Sequence, residues 1–415
     1  MLLTLHGLVH ADALYLENGS APAEFRCPAG AIGTVRPFSS ANDFSRIKLP
    51  SASAQTHTEP YRVALWGDSH TSSGSFVDAM LAAYGIEPRS ALPAFIPATF
   101  KLKGVRFPLK SICVSSTWRT AFAYRAAATQ RTKTGLVALN SDDPGSFLWM
   151  DFRWPLASSR VASVALHFSK VDPDRTLVIG VSADSGPEKL IVLNRASGNI
   201  LEIRSTGPIS TLQFRIVAGQ MTLDGVAPRY QTKPAMVMDV FSFPGAIAKG
   251  WQRADLTGSA LGGGSVTYDL ALLQYGTNEA ADSRFRAEEY AVSLRSSLSQ
   301  FRTLYPTTRC VLLGPPDRGV RSRQTGRTTA ETDDPFWNSR THQQIAALQS
   351  RIGSDFNCAF WDWQLAMGGP QSAFQWAHAN PPLMQPDLIH LMPKGYEISG
   401  RAFANAFPNA IRQGH

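Results

Sequence analysis

The chain has 415 residues, room for one large core or for two or three domains. Hydrophobic residues make up 44% and charged residues 17%, a globular rather than a disordered balance, and no apolar run approaches the length of a membrane span. A formal charge of +8 favours acidic partners, yet no basic run interleaved with aromatics accompanies it. The excess therefore argues against nucleic acid and for an anionic glycan, or for a merely solvated basic surface.

The first residues, Met1 to Ala11, form a short apolar stretch ending in Val9-x-Ala11, as at a secretory cleavage site, but no basic residue precedes it. It reads as an export signal whose start lies upstream, placing the protein in the periplasm or outside the cell, or as a buried first strand. Residues 14 to about 60 lack clear periodicity and grow rich in Ser, Pro and Thr, so residues 1–60 are taken as a signal-like start and lead-in. From Tyr61 the pattern changes: residues 62–66 predict an apolar strand, Gly67 to His70 a turn, and residues 75–84 a helix ended by Gly85. Strand-like runs then recur at 147–154, 161–168, 176–181, 190–193 and 212–217. Turn signals at Asp184-Ser-Gly186, Ser197-Gly-Asn199 and Asp224-Gly225 separate them, as in an antiparallel sandwich.

After Pro234, apolar runs at 236–240, 270–273, 310–313 and 359–361 alternate with helical stretches such as 287–304 and 343–352. With residues 63–66 they make five strands in βα alternation. The predicted fold is α/β, a five-stranded parallel sheet flanked by helices, with residues 61–99 and 236–415 forming one domain around an inserted β-sandwich at 100–235. The four cysteines form no Cys-x-x-Cys pair, which argues against metal and thioredoxin-like sites. Cys310 and Cys358 open two neighbouring parallel strands and are a candidate disulfide, with free buried thiols as the alternative.

In a parallel sheet, chemistry belongs at the carboxyl ends of the strands. The turns there read Gly67-Asp68-Ser69-His70, Gly245-Ala246, Gly276-Thr277-Asn278-Glu279 and Gly314-Pro-Pro-Asp317, and the last segment adds Asp387-Leu-Ile-His390. This ordered set resembles the SGNH (GDSL-like) hydrolase superfamily, whose blocks are GDS, an isolated Gly, GxN and a late DxxH. The resemblance covers about 61–99 and 236–410. Gly67 through Thr71, Met367-Gly-Gly369 with Trp376, and His390 leading to Gly395-Tyr396 look more narrowly like periplasmic peptidoglycan O-acetylesterases, which carry a carbohydrate-binding-type β-sandwich after the nucleophile block.

A serine hydroxyl needs a base to take its proton and donors to hold the oxyanion that forms. The resemblance assigns Ser69 as nucleophile, His390 as base and Asp387 as the carboxylate fixing its tautomer, with the Ser69 N–H, the Gly245 N–H and the Asn278 amide as oxyanion hole. Singly, Ser69 reads equally as a helix cap, Asp387 as a turn cap and His390 as a structural histidine. Gly262, Gly263 and Gly264 compete with Gly245, which is preferred because it follows an apolar run. Asp68 is expected to brace its own turn, His70 to support the site or touch substrate, and Glu279 to begin a helix. Residues 318–340 overhang the site as a loop, with Trp337 as a sugar platform or merely solvated. Phe147, Trp149, Phe152 and Trp154 are expected to place one pair in the sandwich core.

The expected function is removal of O-acetyl groups from a cell-envelope carbohydrate, peptidoglycan or exopolysaccharide, without metal or other cofactor. The expected partner is that acetylated polymer, with no nucleic acid and no membrane span. An acetyltransferase using the same acetyl-serine is one alternative. A carbohydrate-binding scaffold with an inert α/β part is another.

Overall fold

Alternation of apolar side chains builds the central sheet, and in the computed structural model β1 (Tyr61–Gly67) shows it directly. Val63 and Leu65 enter one core, Ala64 and Trp66 another, and all four are fully buried. β4 (Leu270–Gln274) and β5 (Arg309–Leu313) divide their residues between the same two cores. With β2 (Ala91–Leu92), β3 (Met236–Val240) and β6 (Cys358–Trp361) they form one all-parallel sheet in the order β6-β5-β4-β1-β3-β2. The sheet has six strands rather than the five expected, because the two-residue β2 is too short to show a pattern and exists only by pairing with the edge of β3. The structure describes residues 13–22, 27–28, 31–35, 59–125, 132–133, 135–153, 160–169, 176–194, 198–255, 267–282, 284–319 and 336–411.

Helices cover both faces. α1 (Ser69–Ser72) leaves β1, and α2 (Ser75–Ala83) packs on the Val63 side together with α7 (Pro393–Ala406). α3 (Ala287–Leu304) and α4 (Trp337–Asp355) cover the Trp66 side; α3 buries Tyr290, Leu294, Leu298 and Phe301, a helical stripe. α5 (Trp363–Ala366) and α6 (Ser372–Ala377) follow β6. Because β1 lies between β3 and β4, the chain leaves β1 toward one edge and later crosses to the other, which opens a crevice at the carboxyl ends beside β1. Cys310 and Cys358 are register partners of β5 and β6, joined by a disulfide at a Cα separation of 4.7 Å, and Cys27 is bonded to Cys113.

Two further sheets, antiparallel except for one pair, come from residues 13–230. One centres on Val161–Phe168 and Met221–Tyr230, the other on Leu177–Ala183 and Thr211–Ala218. Leu166, Phe168, Ile179, Val181, Phe214 and Ile216 share one apolar cluster with Trp66 and the α3 face. The lead-in segment also supplies strands: Ala13–Leu16 pairs with Ile200–Ile209, and Ile32–Val35 with Ser111–Val114. Each has four residues and a distant partner, so local periodicity does not mark it. Asp224-Gly225, expected as a turn, lies inside Met221–Tyr230, where the register slips by one residue against Phe168, as at a β-bulge. Leu148, Met150 and Phe152 enter the shared core; Trp149 is buried at the position opposite Cys113. Met1 to Ala11, Trp154, Gly262 to Gly264 and residues 320–335 lie outside the described residues.

α7 approaches α2 closely because Gly400 has no side chain: a Cβ there would meet the Phe76 carbonyl oxygen at 2.6 Å and the Met80 nitrogen at 2.8 Å. These are backbone atoms and cannot move aside. Gly400→Val is expected to destabilise the protein by about 1–3 kcal/mol in denaturant unfolding, through overpacking. An unchanged midpoint would mean that the two helices separate freely.

Candidate active site

The turn after β1 is held by its own aspartate. Asp68 caps α1, its Oδ1 accepting from the His70 N–H at 2.9 Å, while its own N–H donates to Gln274 Oε1 at 3.0 Å on the neighbouring strand β4. Burial pushes the Asp68 carboxyl up to about 7, against the His70 N–H and Gln274, which work to lower it. Thr71 Oγ1 donates to Ser242 Oγ at 2.8 Å, and the Phe243 N–H to the Gly67 carbonyl at 3.1 Å, so the loop after β3 runs beside this turn.

The second turn is local and tight. Leu388 has a φ of 57°, which folds the chain back so that Asp387 Oδ1 accepts from the N–H groups of Ile389 at 2.9 Å and His390 at 3.0 Å. Its Oδ2 accepts from His390 Nδ1 at 2.8 Å. With the proton on Nδ1, the Nε2 lone pair faces Ser69, whose hydroxyl donates to it at 3.2 Å across 321 positions of sequence. Partial burial works to raise the Asp387 carboxyl, but the His390 ring and the two backbone N–H groups outweigh it and hold the carboxyl below its ordinary value. Three of the sequence-predicted residues, Ser69, Asp387 and His390, thus form one hydrogen-bonded chain.

Asn278 reaches the residue that follows Gly245. The Asn278 amide donates to the Ala246 carbonyl at 2.9 Å, and Gly245 has a φ of 83°, a left-handed conformation that favours glycine. Glu279 does more than begin a short helical turn: it accepts from the Gly276 N–H at 3.0 Å and the Ala248 N–H at 2.8 Å, clasping the loops after β4 and β3. Burial raises its carboxyl in spite of these bonds.

Further side chains brace these turns, of which Gln274 and His342 escaped the sequence reading. Asp317 is fully buried and accepts from Ser339 Oγ and Gln364 Nε2, both at 2.6 Å, and from the Ala373 N–H at 2.8 Å, tying the turn after β5 to three helices. His342 donates from Nδ1 to the Pro316 carbonyl at 2.6 Å, and burial lowers its pKa to about 4, so it stays neutral. His70 shares a 3.3 Å hydrogen bond with the Tyr396 hydroxyl on α7; burial, and next the nearby His390, hold it well below its ordinary pKa. The Gly319 N–H donates to the Leu388 carbonyl at 3.0 Å. In sequence, the clue to Gln274 is a polar residue ending an otherwise apolar run. Trp376 Nε1 donates to the Met367 carbonyl at 2.9 Å, and Trp337 stands partly exposed at the start of α4. Among the described residues, no group of three His, Cys, Asp or Glu side chains could hold a metal ion, and no helix is long and apolar enough to cross a membrane.

The chain shares its fold with a solved structure. A peptidoglycan O-acetylesterase superposes with a TM-score of 0.58 at 18% identity, over 84% of this chain and 91% of that one. A family 2 carbohydrate esterase with its carbohydrate-binding domain, from Corynascus thermopiles, matches at 12% identity over 70% of this chain and 99% of that one, with a TM-score of 0.28. A phospholipase A1 from Streptomyces albidoflavus matches at 16% identity over 41% and 80%, also at 0.28. No protein-family model and no curated protein matches the sequence.

Asp68→Asn keeps the Oδ1 acceptor and removes the titration. The folded carboxyl holds its proton up to about pH 7 and the unfolded one only to about pH 4, so this group's contribution to stability falls as pH rises between those values. Denaturant unfolding is expected to show the variant gaining on the wild type from pH 4 to 7, by up to about 4 kcal/mol. A difference independent of pH would show that Asp68 is ionised throughout.

Proposed function

We propose that this chain is a serine esterase that removes O-acetyl groups from a cell-envelope carbohydrate polymer, peptidoglycan or exopolysaccharide. The observation that carries the reading is the Ser69–His390–Asp387 hydrogen-bonded chain at the carboxyl edge of the parallel sheet. Ser69 Oγ attacks the acetyl carbonyl carbon as its proton passes to His390 Nε2. The imidazolium is stabilised by Asp387, and the carbonyl oxygen, now negative, is received by the N–H groups of Ser69 and Gly245 and by the Asn278 amide. The C–O bond to the sugar then breaks, and the sugar oxygen takes the proton from His390. Water, deprotonated by His390, attacks the acetyl-serine and acetate departs as Ser69 recovers its proton. No step needs a metal or other cofactor.

The fold shared with a peptidoglycan O-acetylesterase supports this class of substrate, and two disulfides suit an oxidising compartment outside the cytoplasm. The antiparallel sheets of residues 100–235, with the two strands that join them from the first 60 residues, are read as a carbohydrate-binding-type sandwich.

Ser69→Ala is expected to abolish acetate release from acetylated peptidoglycan, measured by mass spectrometry. Asn278→Ala is expected to lower kcat by about a hundredfold or more, with less change in KM. Unchanged cleavage in Ser69→Ala would leave a binding scaffold as the better account, and acetyl transfer to added oligosaccharide outrunning hydrolysis would make the chain a transferase. Faster turnover of long-chain esters than of acetyl esters would also count against the reading.

A further inference from the structure

Among the described residues, Arg318 is a cationic side chain beside this site that the acyl-transfer chemistry leaves unused. It directly follows Asp317, which the three bonds described above hold in place, and precedes Gly319, whose N–H is tied to the Leu388 carbonyl in the Asp387–His390 turn. Its own Nη1 points to the Thr277 carbonyl, next to Asn278. The backbone therefore places Arg318 between the Asn278 loop and the Asp387–His390 turn.

A guanidinium offers five N–H donors in a planar fork. Here Nη1 makes one long contact, 3.4 Å to Thr277, and Nε is buried with no partner. Asp387 and Asp68 act on Arg318 from a distance and form no ion pair with it. A solvated surface arginine would keep its donors in water, and a structural one would spend them on carbonyls or carboxylates. Arg318 spends one donor on the Thr277 carbonyl and keeps Nε buried without a partner, and its neighbours His70 and His342 are both held neutral. A fork with unspent donors matches a carboxylate, which accepts two parallel N–H bonds.

We propose that Arg318 is a specificity-determining residue whose guanidinium receives a carboxylate carried by the glycan next to the scissile ester, so that this site selects an anionic acetylated carbohydrate. The inference rests on the esterase reading and adds the charge of the substrate to it. The chain's formal charge of +8 agrees with an acidic polymer.

The test compares acetate release from 6-O-acetyl-N-acetylmuramic acid and from its carboxamide, which differ in one negative charge. The wild type is expected to favour the acid by ~tenfold or more in kcat/KM, mostly through KM, and to lose that preference as salt is added. Arg318→Gln should bring the ratio near one, and Arg318→Lys, which keeps the charge without the fork, should retain part of it. A wild-type ratio near one overturns the proposal. So does an Arg318→Gln ratio equal to the wild type's, whether both activities fall together or both persist. If the variants do not fold, the wild-type ratio and its salt dependence decide alone. Release of acetate from neither substrate nor from p-nitrophenyl acetate, or its persistence in Ser69→Ala, would instead bring down the esterase reading itself.

Discussion

A 3.2 Å hydrogen bond between Ser69 and His390 joins two turns that lie 321 residues apart, and one exposed-edge hydrogen bond is worth too little to hold them there. The work of approach is done behind it. α2 begins six residues after Ser69, α7 begins three residues after His390, and the two helices pack through Gly400 onto bare backbone. His70 and Tyr396 add a polar link between the same two segments one layer deeper. The separation of hydroxyl and imidazole is thus set by helix packing in an apolar core, which is directional only because side chains there interdigitate.

Charge around this contact is kept sparse by burial. His70 and His342 are too deeply enclosed to take a proton at neutral pH, and burial raises the carboxyls of Asp68 and Glu279. Asp387 is the exception: three N–H donors hold its carboxyl below its ordinary value, against the desolvation that works to raise it. The His390 ring therefore meets the Asp387 carboxylate on one side and the neutral His70 ring on the other.

The βα alternation and the five long parallel strands could be read from sequence because each strand buries both faces and so shows as a continuous apolar run. Ser69, Asp387 and His390 could be picked out because their blocks follow one another in a fixed order. What stayed hidden is long-range. Ala13–Leu16 is a strand only because Ile200–Ile209 lies beside it, and β2 only because β3 does. Asp224-Gly225 carries the local chemistry of a turn, yet pairing on both sides of Met221–Tyr230 keeps it in a strand. Gln274, Asp317 and Glu279 brace the loops through partners whose identities depend on the finished fold.

The openness of the Asp387–His390 turn follows from how it is built. Its side chains are 37% and 38% exposed, although the carboxylate is saturated with donors from its own turn and from the ring. A buried aspartate would need a surrounding wall to supply those donors, and such a wall would close the approach to Ser69. Supplying them from two backbone N–H groups inside a four-residue turn lets Asp387 and His390 sit at the rim, with Gly319 and α7 holding the turn from behind.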